Sequence, residues 1–278
     1  MNKADRYFIE NIMEILENGY RDVNPRPKYE DGTPAHTIYI TQVFEKYNLA
    51  NGEFPIITFR PIPISYGIRE IRWIYQDQTS DLSILEGKYG IGWWEPWNIG
   101  DGTIGQRYGA TVSKHDLMNN LLQGLVNDPF GRRHIISLWQ EDDIKKTEGL
   151  PPCAFQTIFS VRIYEGKMYL DMTLTQRSSD YLVAGHINKM QYVAFQMMVA
   201  KHCGYEVGNF AHFVQNLHIY DRHVEQATEM LSRRPSNKVP VLKLNVPDRT
   251  NFYDITEKDF ELVDYEPVKP QLKFELGV

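Results

Sequence analysis

The sequence has few cysteines, no excess of positive charge and no long hydrophobic run, and each of these absences excludes a class of protein. Two cysteines, Cys153 and Cys203, cannot build a disulfide framework and lack the spacing of a zinc site. The 30 Lys and Arg against 36 Asp and Glu leave a net charge of −6, so the chain as a whole does not attract nucleic acid or an anionic membrane. Acidic residues interrupt the N-terminal apolar positions, and no window of about 18 apolar residues occurs. We therefore expect a soluble cytoplasmic protein that has neither DNA nor a membrane as a partner.

The familiar cofactor motifs are also missing. There is no GxGxxG fingerprint, Walker loop or HExxH sequence, and Gly100, Gly102 and Gly105 are wrongly spaced for a phosphate loop. The 8 histidines are scattered without a triplet at metal-ligand spacing. The sequence therefore predicts no metal.

Apolar and aromatic residues are abundant. Hydrophobic residues make up 42% of the 278-residue chain and aromatic residues 13%, which is enough to bury a sizeable core. No repeat or linker interrupts the pattern. We expect a single domain over residues 1–278.

Helical and strand periodicities interleave to the C-terminus. The pattern predicts helices over residues 8–19, 63–76, 117–125, 188–203 and 221–232, the last capped by Asp221, and strands over 134–139, 155–163, 168–174, 212–220, 239–246 and 272–276. A Glu165-Gly166 turn makes the second and third strands an antiparallel hairpin. The fold class is α+β (α/β), with a large mixed sheet flanked by helices.

Candidate chemistry begins at Cys153, which follows a proline-rich loop directly before a strand. An isolated cysteine is more often structural, and a catalytic thiolate needs neighbouring positive charge to lower its pKa. Arg132, Arg133 and Arg177 are candidates for that charge. Cys203 ends a predicted buried helix and is interpreted as a small apolar filler.

Three further sets of polar residues have both a functional and a structural interpretation. The guanidinium of Arg177 and the hydroxyl of Ser178 suit a phosphate dianion, although a charged side chain on a loop is more often only exposed to solvent. His218 and Tyr220 are two residues apart on a predicted strand, so their side chains lie on the same face. They are interpreted either as a ligand-binding pair or as a pair of core residues. Glu70, on an apolar helical stretch, is either an acid of raised pKa or a surface carboxylate.

The segments LPPCAFQ, QRSSD and LHIYDRH together resemble the thymidylate synthase family in order and spacing. The resemblance covers essentially the whole chain and extends to Asp101-Gly102-Thr103-Ile104-Gly105 and Tyr265-Glu266-Pro267. It implies an α/β fold around a large bent sheet, an obligate homodimer formed through that sheet, and reductive methylation of dUMP by 5,10-methylenetetrahydrofolate.

Carried over to this sequence, the resemblance implies which residues contact the reacting uracil ring and which bind the rest of the nucleotide. Cys153 is similar to the nucleophile that adds to C6 of uracil, Glu70 to the carboxylate that organises water near O4, and Tyr108 to a member of that water network. Asn188 matches the asparagine that reads the uracil edge, and hydroxymethylases of dCMP carry aspartate there. The implied nucleotide ligands are Arg26, Gln176, Arg177, Ser178, Asp180, Asn188, His218 and Tyr220, with Arg132 and Arg133 donated by the other subunit.

The resemblance also implies a folate site. Asp180 resembles the pterin ligand, and Trp94 the tryptophan that walls the pterin and favours hydride reduction over capture by water. Ala184 and Ile187 lie where folate packs, and Arg60 stands where a folate-proximal lysine is common, keeping a charge that attracts the glutamate tail.

Three segments depart from the family pattern. Ala154 replaces the usual histidine after the nucleophile, and His186 is a candidate for the missing imidazole, although a position outside the reacting centre is the commoner interpretation. The segment 184–187 lacks the usual Gly, Pro and Phe, which predicts altered antifolate sensitivity. The phosphate loop is longer, so Lys28 competes with Arg26 as the phosphate ligand.

Three alternatives compete with a synthase. A dUMP hydroxymethylase on the same fold would use water in place of hydride, and Trp94 argues against it. A nucleotide-binding regulatory dimer would not need the thiol of Cys153. A cysteine hydrolase would need an oriented histidine that has no recognisable local signature here.

Overall fold

The computed structural model describes residues 1–278 and contains eight α-helices and nine strands. The helices are α1 (Lys3–Asn18), α2 (Ile64–Tyr75), α3 (Leu82–Tyr89), α4 (Gly109–Lys114), α5 (Leu117–Asn127), α6 (Glu141–Lys146), α7 (His186–Cys203) and α8 (Val224–Ser232). The strands are β1 (Tyr20–Arg21), β2 (Thr37–Asn48), β3 (Ile135–Ser137), β4 (Ala154–Tyr164), β5 (Lys167–Gln176), β6 (Ser179–Asp180), β7 (Glu206–Tyr220), β8 (Val241–Leu244) and β9 (Phe260–Val263). No helix combines the length and apolarity that crossing a bilayer requires.

Seven strands form one mixed sheet. Its order is β1-β2-β7-β5-β4-β3, with β6 added alongside β7. Strand β7 pairs in parallel with β5 and with β6, and the other pairs are antiparallel. Strands β8 and β9 form a separate antiparallel ribbon. The mixed sheet flanked by helices confirms the predicted fold class.

One helix fills the centre of the molecule. The residues of α7 are buried nearly all round, and the helix packs on α2, β5 and β7. Gly204 ends it with a φ of 73°, a left-handed conformation that glycine adopts without a Cβ clash. The predicted central helix is confirmed, and its first turn begins two residues earlier than the sequence indicates.

The predicted hairpin is also confirmed. Strands β4 and β5 pair with Tyr164 opposite Lys167, so the connection contains only Glu165 and Gly166. Both residues have positive φ, 49° and 76°, as a two-residue turn that matches the twist of the strands requires. The hairpin returns the end of β5 to the start of β4.

Two local predictions were wrong, and several elements were not predicted. The sequence patterns did not indicate the helices α3, α4 and α6 or the strands β1, β2, β6 and β9. Residues 272–276 do not form a strand. The backbone carbonyl groups of this tail face side chains, and the Glu275 carbonyl oxygen, for example, lies 2.8 Å from His223 Nε2. Asp221 does not cap α8, since a 3-10 turn separates them and the Asp221 carboxylate accepts from Tyr29 and from the Arg222 amide.

Candidate active site

A cavity of about 850 Å³ opens where the ends of β5, β6 and β7 meet α2 and the first turn of α7. Most of the residues predicted for the site line it: Arg26, Arg60, Glu70, Trp94, Tyr108, Cys153, Arg177, Ser178, Asp180, Ala184, Ile187, Asn188, His218 and Tyr220. These side chains come from segments far apart in sequence. The fold therefore brings together nearly all of the predicted site.

The hairpin places Cys153 beside Arg177. Ala154 lies opposite Gln176, and the Arg177 amide donates to the Cys153 carbonyl at 3.0 Å. The Arg177 guanidinium donates to the carbonyls of Pro151 at 2.7 Å and Pro152 at 3.0 Å, and to Cys153 Sγ at 3.5 Å. Burial raises the pKa of the Cys153 thiol, while the charges of Arg177 and Arg26 act against that rise. Arg177 thus both fixes the loop that carries the thiol and stabilises its thiolate.

Tyr108 also supports this loop. Its hydroxyl accepts from the Cys153 amide at 3.1 Å, and its ring lies 5.2 Å from that of Trp94, centroid to centroid. Its φ of 47° is in the left-handed region, which is strained for an aromatic residue. The strained backbone places the phenol between the thiol loop and the indole wall.

Glu70 is a buried carboxylate without a cationic partner. It projects from α2, is 6% exposed, and accepts from Trp93 Nε1 and Trp94 Nε1, both at 3.1 Å. Burial raises the pKa of Glu70 to about 7, and the two indole donors limit the rise. A carboxyl group that titrates near neutral pH can exchange protons with a neighbouring water or ligand.

Asp180 and Arg60 shape the turn that leads into α7. The Asp180 carboxylate accepts from the Val183 amide at 3.2 Å, and burial raises its pKa to about 7. The Arg60 guanidinium donates to the Leu182 carbonyl, to the Val183 carbonyl at 3.3 Å, and lies over the Phe274 ring. Burial lowers the pKa of Arg60 to about 10. Arg60 therefore braces the turn from within the cavity wall.

The His218–Tyr220 pair lies at the end of the cavity formed by β6 and β7, where His218 is the register partner of Asp180. His218 Nδ1 lies 2.9 Å from Asn216 Oδ1, and burial lowers the pKa of His218 to about 4, so its imidazole is neutral at pH 7. The Tyr220 hydroxyl donates to the Gly277 carbonyl at 3.4 Å. Arg26 also lines this end, whereas the Lys28 backbone is paired with Val278 outside it.

Three predicted nucleotide residues lie outside the cavity of this chain. Gln176 is fully buried behind the wall, with its Oε1 2.6 Å from His212 Nε2. Arg132 and Arg133 are exposed at the sheet edge near β3. His186 is fully buried between Phe8 and Tyr181 and does not line the cavity, so it does not replace the imidazole missing at Ala154.

Some contributors were not singled out from the sequence. Trp93 is the second indole donor to Glu70, and its position directly before Trp94 was an available signal. Asn216 orients His218 from the same strand face two residues away, a spacing that sequence also shows. Leu276 and Gly277 line the cavity from the C-terminal tail, which no local pattern indicates. No cluster of three or more His, Cys, Asp or Glu side chains is arranged to hold a metal ion.

Comparisons with known proteins agree with this geometry. The sequence model of the thymidylate synthase family matches residues 6–278. The chain is 60% identical to the thymidylate synthase of Lactococcus lactis subsp. cremoris (strain SK11) and 58% identical to that of Streptococcus pneumoniae (strain 70585), with 100% of both chains covered in each case. The thermostable thymidylate synthase A from Bacillus subtilis superposes with a TM-score of 0.88 at 32% identity, covering 99% of each chain.

Proposed function

Because this chain belongs to the thymidylate synthase family, and is thus a methyltransferase that converts dUMP to dTMP by reductive methylation, we propose how its residues divide that reaction. The comparisons support the synthase and give no support to the hydroxymethylase alternative. The observation that carries the assignment is the Cys153 thiol held beside Arg177 in a cavity that also presents the buried Glu70 carboxyl.

Cys153 is the nucleophile of this proposal. Its thiolate adds to C6 of the uracil ring, which makes C5 electron-rich. Arg177 stabilises the thiolate through its charge and holds the loop at Pro151 and Pro152 in place. Glu70 and Tyr108 handle protons at the O4 side of the ring, where a carboxyl group with a pKa of about 7 both donates and accepts.

Cavity residues from several segments orient the nucleotide. We assign Arg26, Arg177 and Ser178 to the phosphate, because guanidinium forks and a hydroxyl suit a dianion. His218 and Tyr220 are assigned to the sugar hydroxyl, and Asn188 to the uracil edge. Gln176 acts from behind the wall in this structure, so its proposed contact with the nucleotide requires a change of side-chain position.

Methylenetetrahydrofolate, the co-substrate of the family, supplies the one-carbon unit and the hydride. Residues of this chain that fit it are Asp180 and Trp94 for the pterin, with Ala184 and Ile187 along the aminobenzoate path. Arg60 lines the same wall, but its guanidinium already donates to backbone carbonyls, which reduces its capacity to attract a glutamate tail. Ala184 adds a methyl group where glycine is usual, and Ile187 lacks the usual aromatic ring, which together support the expectation of altered antifolate inhibition constants relative to a synthase with the common motif.

A homodimer through the large sheet fits the distribution of surface side chains. The sheet face opposite α7 presents Phe44, 55% exposed, directly across from Phe213, with Ile158 further along the same face. Arg132 and Arg133 are exposed beside that face and absent from their own chain's cavity. Their donation to the partner's phosphate site accounts for both observations.

The single domain over residues 1–278 and the cytoplasmic location remain predictions.

The reaction is tested by incubating the protein with dUMP and methylenetetrahydrofolate. We expect the absorbance of dihydrofolate to rise and mass spectrometry to identify dTMP, with both signals lost in Cys153→Ser. Hydroxymethyl-dUMP without dihydrofolate would contradict the assignment.

Subunit complementation tests the shared site. Cys153→Ser and the double variant Arg132→Gln/Arg133→Gln are each expected to be nearly inactive as homodimers. Mixed and re-equilibrated, they form heterodimers with one intact site, so activity should recover to about a quarter of that of the wild type. A mixture that stays as inactive as its components would refute the donation of the two arginines.

A further inference from the structure

A buried ion pair joins α7 to β2 at the residue that follows the cavity-lining Asn188. Lys189 Nζ is 2.9 Å from Glu45 Oε2, and the two side chains are only 1% and 3% exposed. Neither residue lines the cavity. Burying two charges is costly unless both are well paired and hydrogen-bonded, so the structure retains this pair against a desolvation penalty.

The carboxylate of Glu45 is fixed from several directions. Its Oε2 also accepts from the Tyr47 hydroxyl at 2.6 Å, and its Oε1 accepts from Asn11 Nδ2 at 3.0 Å and from the Tyr181 hydroxyl at 3.4 Å. These donors belong to β2, α1 and the turn before α7. The Glu45 carboxylate is therefore held in one position, where it binds the Lys189 ammonium.

Lys189 connects this fixed point to the first turn of α7. It is the fourth residue of the helix, where the positive end of the helix dipole disfavours a cation, so the lysine relies on the facing carboxylate. His186 lies on the same helix face but contributes only ring packing, because neither of its ring nitrogens has a hydrogen-bond partner. Among the side chains of residues 186–189, only Lys189 makes a hydrogen bond, so its bond to Glu45 is the directional side-chain contact of this first turn.

Asn188 immediately precedes Lys189 and lines the cavity. Adjacent residues of a helix are separated by about 100° around its axis, so the inward direction of Lys189 determines the direction of Asn188. The other cavity wall is tied to the same cluster, because Glu45 pairs in register with His212, whose Nε2 lies 2.6 Å from Gln176 Oε1, one residue before Arg177.

We propose that Glu45 and Lys189 are positioning residues for nucleotide selectivity, which hold Asn188 at the depth and rotation needed to distinguish a uracil from a cytosine edge. The proposal rests on the assignment of Asn188 to the base. The pair touches no ligand and acts through the first turn of α7.

The test is calorimetric titration of dUMP and of dCMP into the wild type, Lys189→Met, Glu45→Gln and the double variant Glu45→Gln/Lys189→Met. Methionine keeps most of the length of the lysine stem, and glutamine keeps the shape of the carboxylate. We expect each single variant to lose about tenfold of its preference for dUMP, the equivalent of one misplaced hydrogen bond. The double variant should regain thermal stability, because no unpaired charge is left buried, but should not regain the preference.

Glu257→Gln provides the matched control. It removes the carboxylate from the Arg72–Glu257 pair, whose side chains are 15% and 13% exposed and do not line the cavity. We expect this variant to lose stability while keeping the preference for dUMP. A preference that falls equally in Glu257→Gln, or that stays within about twofold of the wild type in Lys189→Met and in the double variant, would overturn the proposal.

Asn188→Ala in the same titrations distinguishes the base-reading role of Asn188 from the positioning role of Glu45 and Lys189. If the preference for dUMP survives in Asn188→Ala, the base-reading role of Asn188 fails, and the positioning role fails with it. If the preference is lost in Asn188→Ala but kept in the variants of the pair, the positioning role alone is refuted.

Discussion

Two glutamates of this protein are buried to a similar degree, but their surroundings give them opposite properties. Glu70 is 6% exposed and lines the cavity, whereas Glu45 is 2% exposed and does not line it. The donors to Glu70 are the neutral indole groups of Trp93 and Trp94. Glu45 faces the Lys189 ammonium at 2.9 Å.

The difference shows how one fold uses a buried carboxyl group in two ways. Burial raises the pKa of Glu70 to about 7, because two neutral donors do not compensate for lost hydration. Burial also acts to raise the pKa of Glu45, but the charge of Lys189 brings it below the ordinary value. Glu70 is consequently able to exchange protons near neutral pH, while Glu45 stays ionised and serves as an anchor.

Removal of the proton-exchanging carboxyl group of Glu70 should have the largest effect. We expect Glu70→Gln to lower kcat by about 10²–10⁴-fold, the usual contribution of a positioned acid or base. Its unfolding temperature at pH 8 should not fall, since the substitution removes an unpaired buried charge. Steady-state kinetics and differential scanning calorimetry test both statements. A variant that keeps more than about a tenth of the wild-type kcat would exclude the proton role of Glu70.

Removing the cation from the other glutamate should affect stability instead. Lys189→Met leaves the Glu45 carboxylate buried and unpaired, so the free energy of unfolding at pH 7 should fall by about 3–5 kcal/mol. The double variant Glu45→Gln/Lys189→Met should recover most of this loss. Urea unfolding monitored by circular dichroism measures it. Equal stabilities of the single and double variants would mean that the pair is not coupled.

The two glutamates should also differ in how they link stability to pH. Glu70 takes up its proton more readily in the folded protein than in the unfolded chain, where its pKa is near 4.5. Stability from protonated Glu70 is therefore present below that value and is lost as pH rises through about 7. We expect the stability of Glu70→Gln relative to the wild type to increase by about 3 kcal/mol between pH 4.5 and pH 8.

Glu45 has the opposite linkage. Its folded pKa lies below the ordinary value, so its contribution is present above that value and is lost only as pH falls through the folded pKa. Between pH 5 and pH 8, the stability difference between the double variant Glu45→Gln/Lys189→Met and the wild type should stay flat, because this variant leaves no buried charge without its partner. A slope for the double variant that matches the slope for Glu70→Gln would contradict the assigned charge states.

The smallest expected effect concerns one indole donor. Trp93→Phe removes a hydrogen bond that favours the ionised carboxylate, so the pKa of Glu70 should rise further and move the corresponding limb of the pH–rate profile upward by about one pH unit. Trp97→Phe is the control, because Trp97 packs on Trp94 at 5.5 Å without a hydrogen bond to Glu70. The same shift in both variants would point to general loosening of the aromatic wall.

The sequence alone determined much of the fold, because periodicity and turn chemistry are local properties. The β4–β5 hairpin followed from alternation on both sides of Glu165 and Gly166, and the central helix from an apolar run that ends at Gly204. The cavity residues around Cys153, Arg177 and Asn188 followed from motifs whose order and spacing resemble one family. Such features need no knowledge of what lies across the fold.

Tertiary structure decided whatever depends on distant segments. The tail at 272–276 was predicted as a strand and is held instead by contacts with residues such as His223 and Gln226. The burial of His186, the pairing of Glu45 with Lys189 across 144 positions, and the different charge states of Glu45 and Glu70 are invisible in local patterns. The pKa of a carboxyl group depends on its hydration and on which charge lies within a few ångströms, and only the folded chain fixes both.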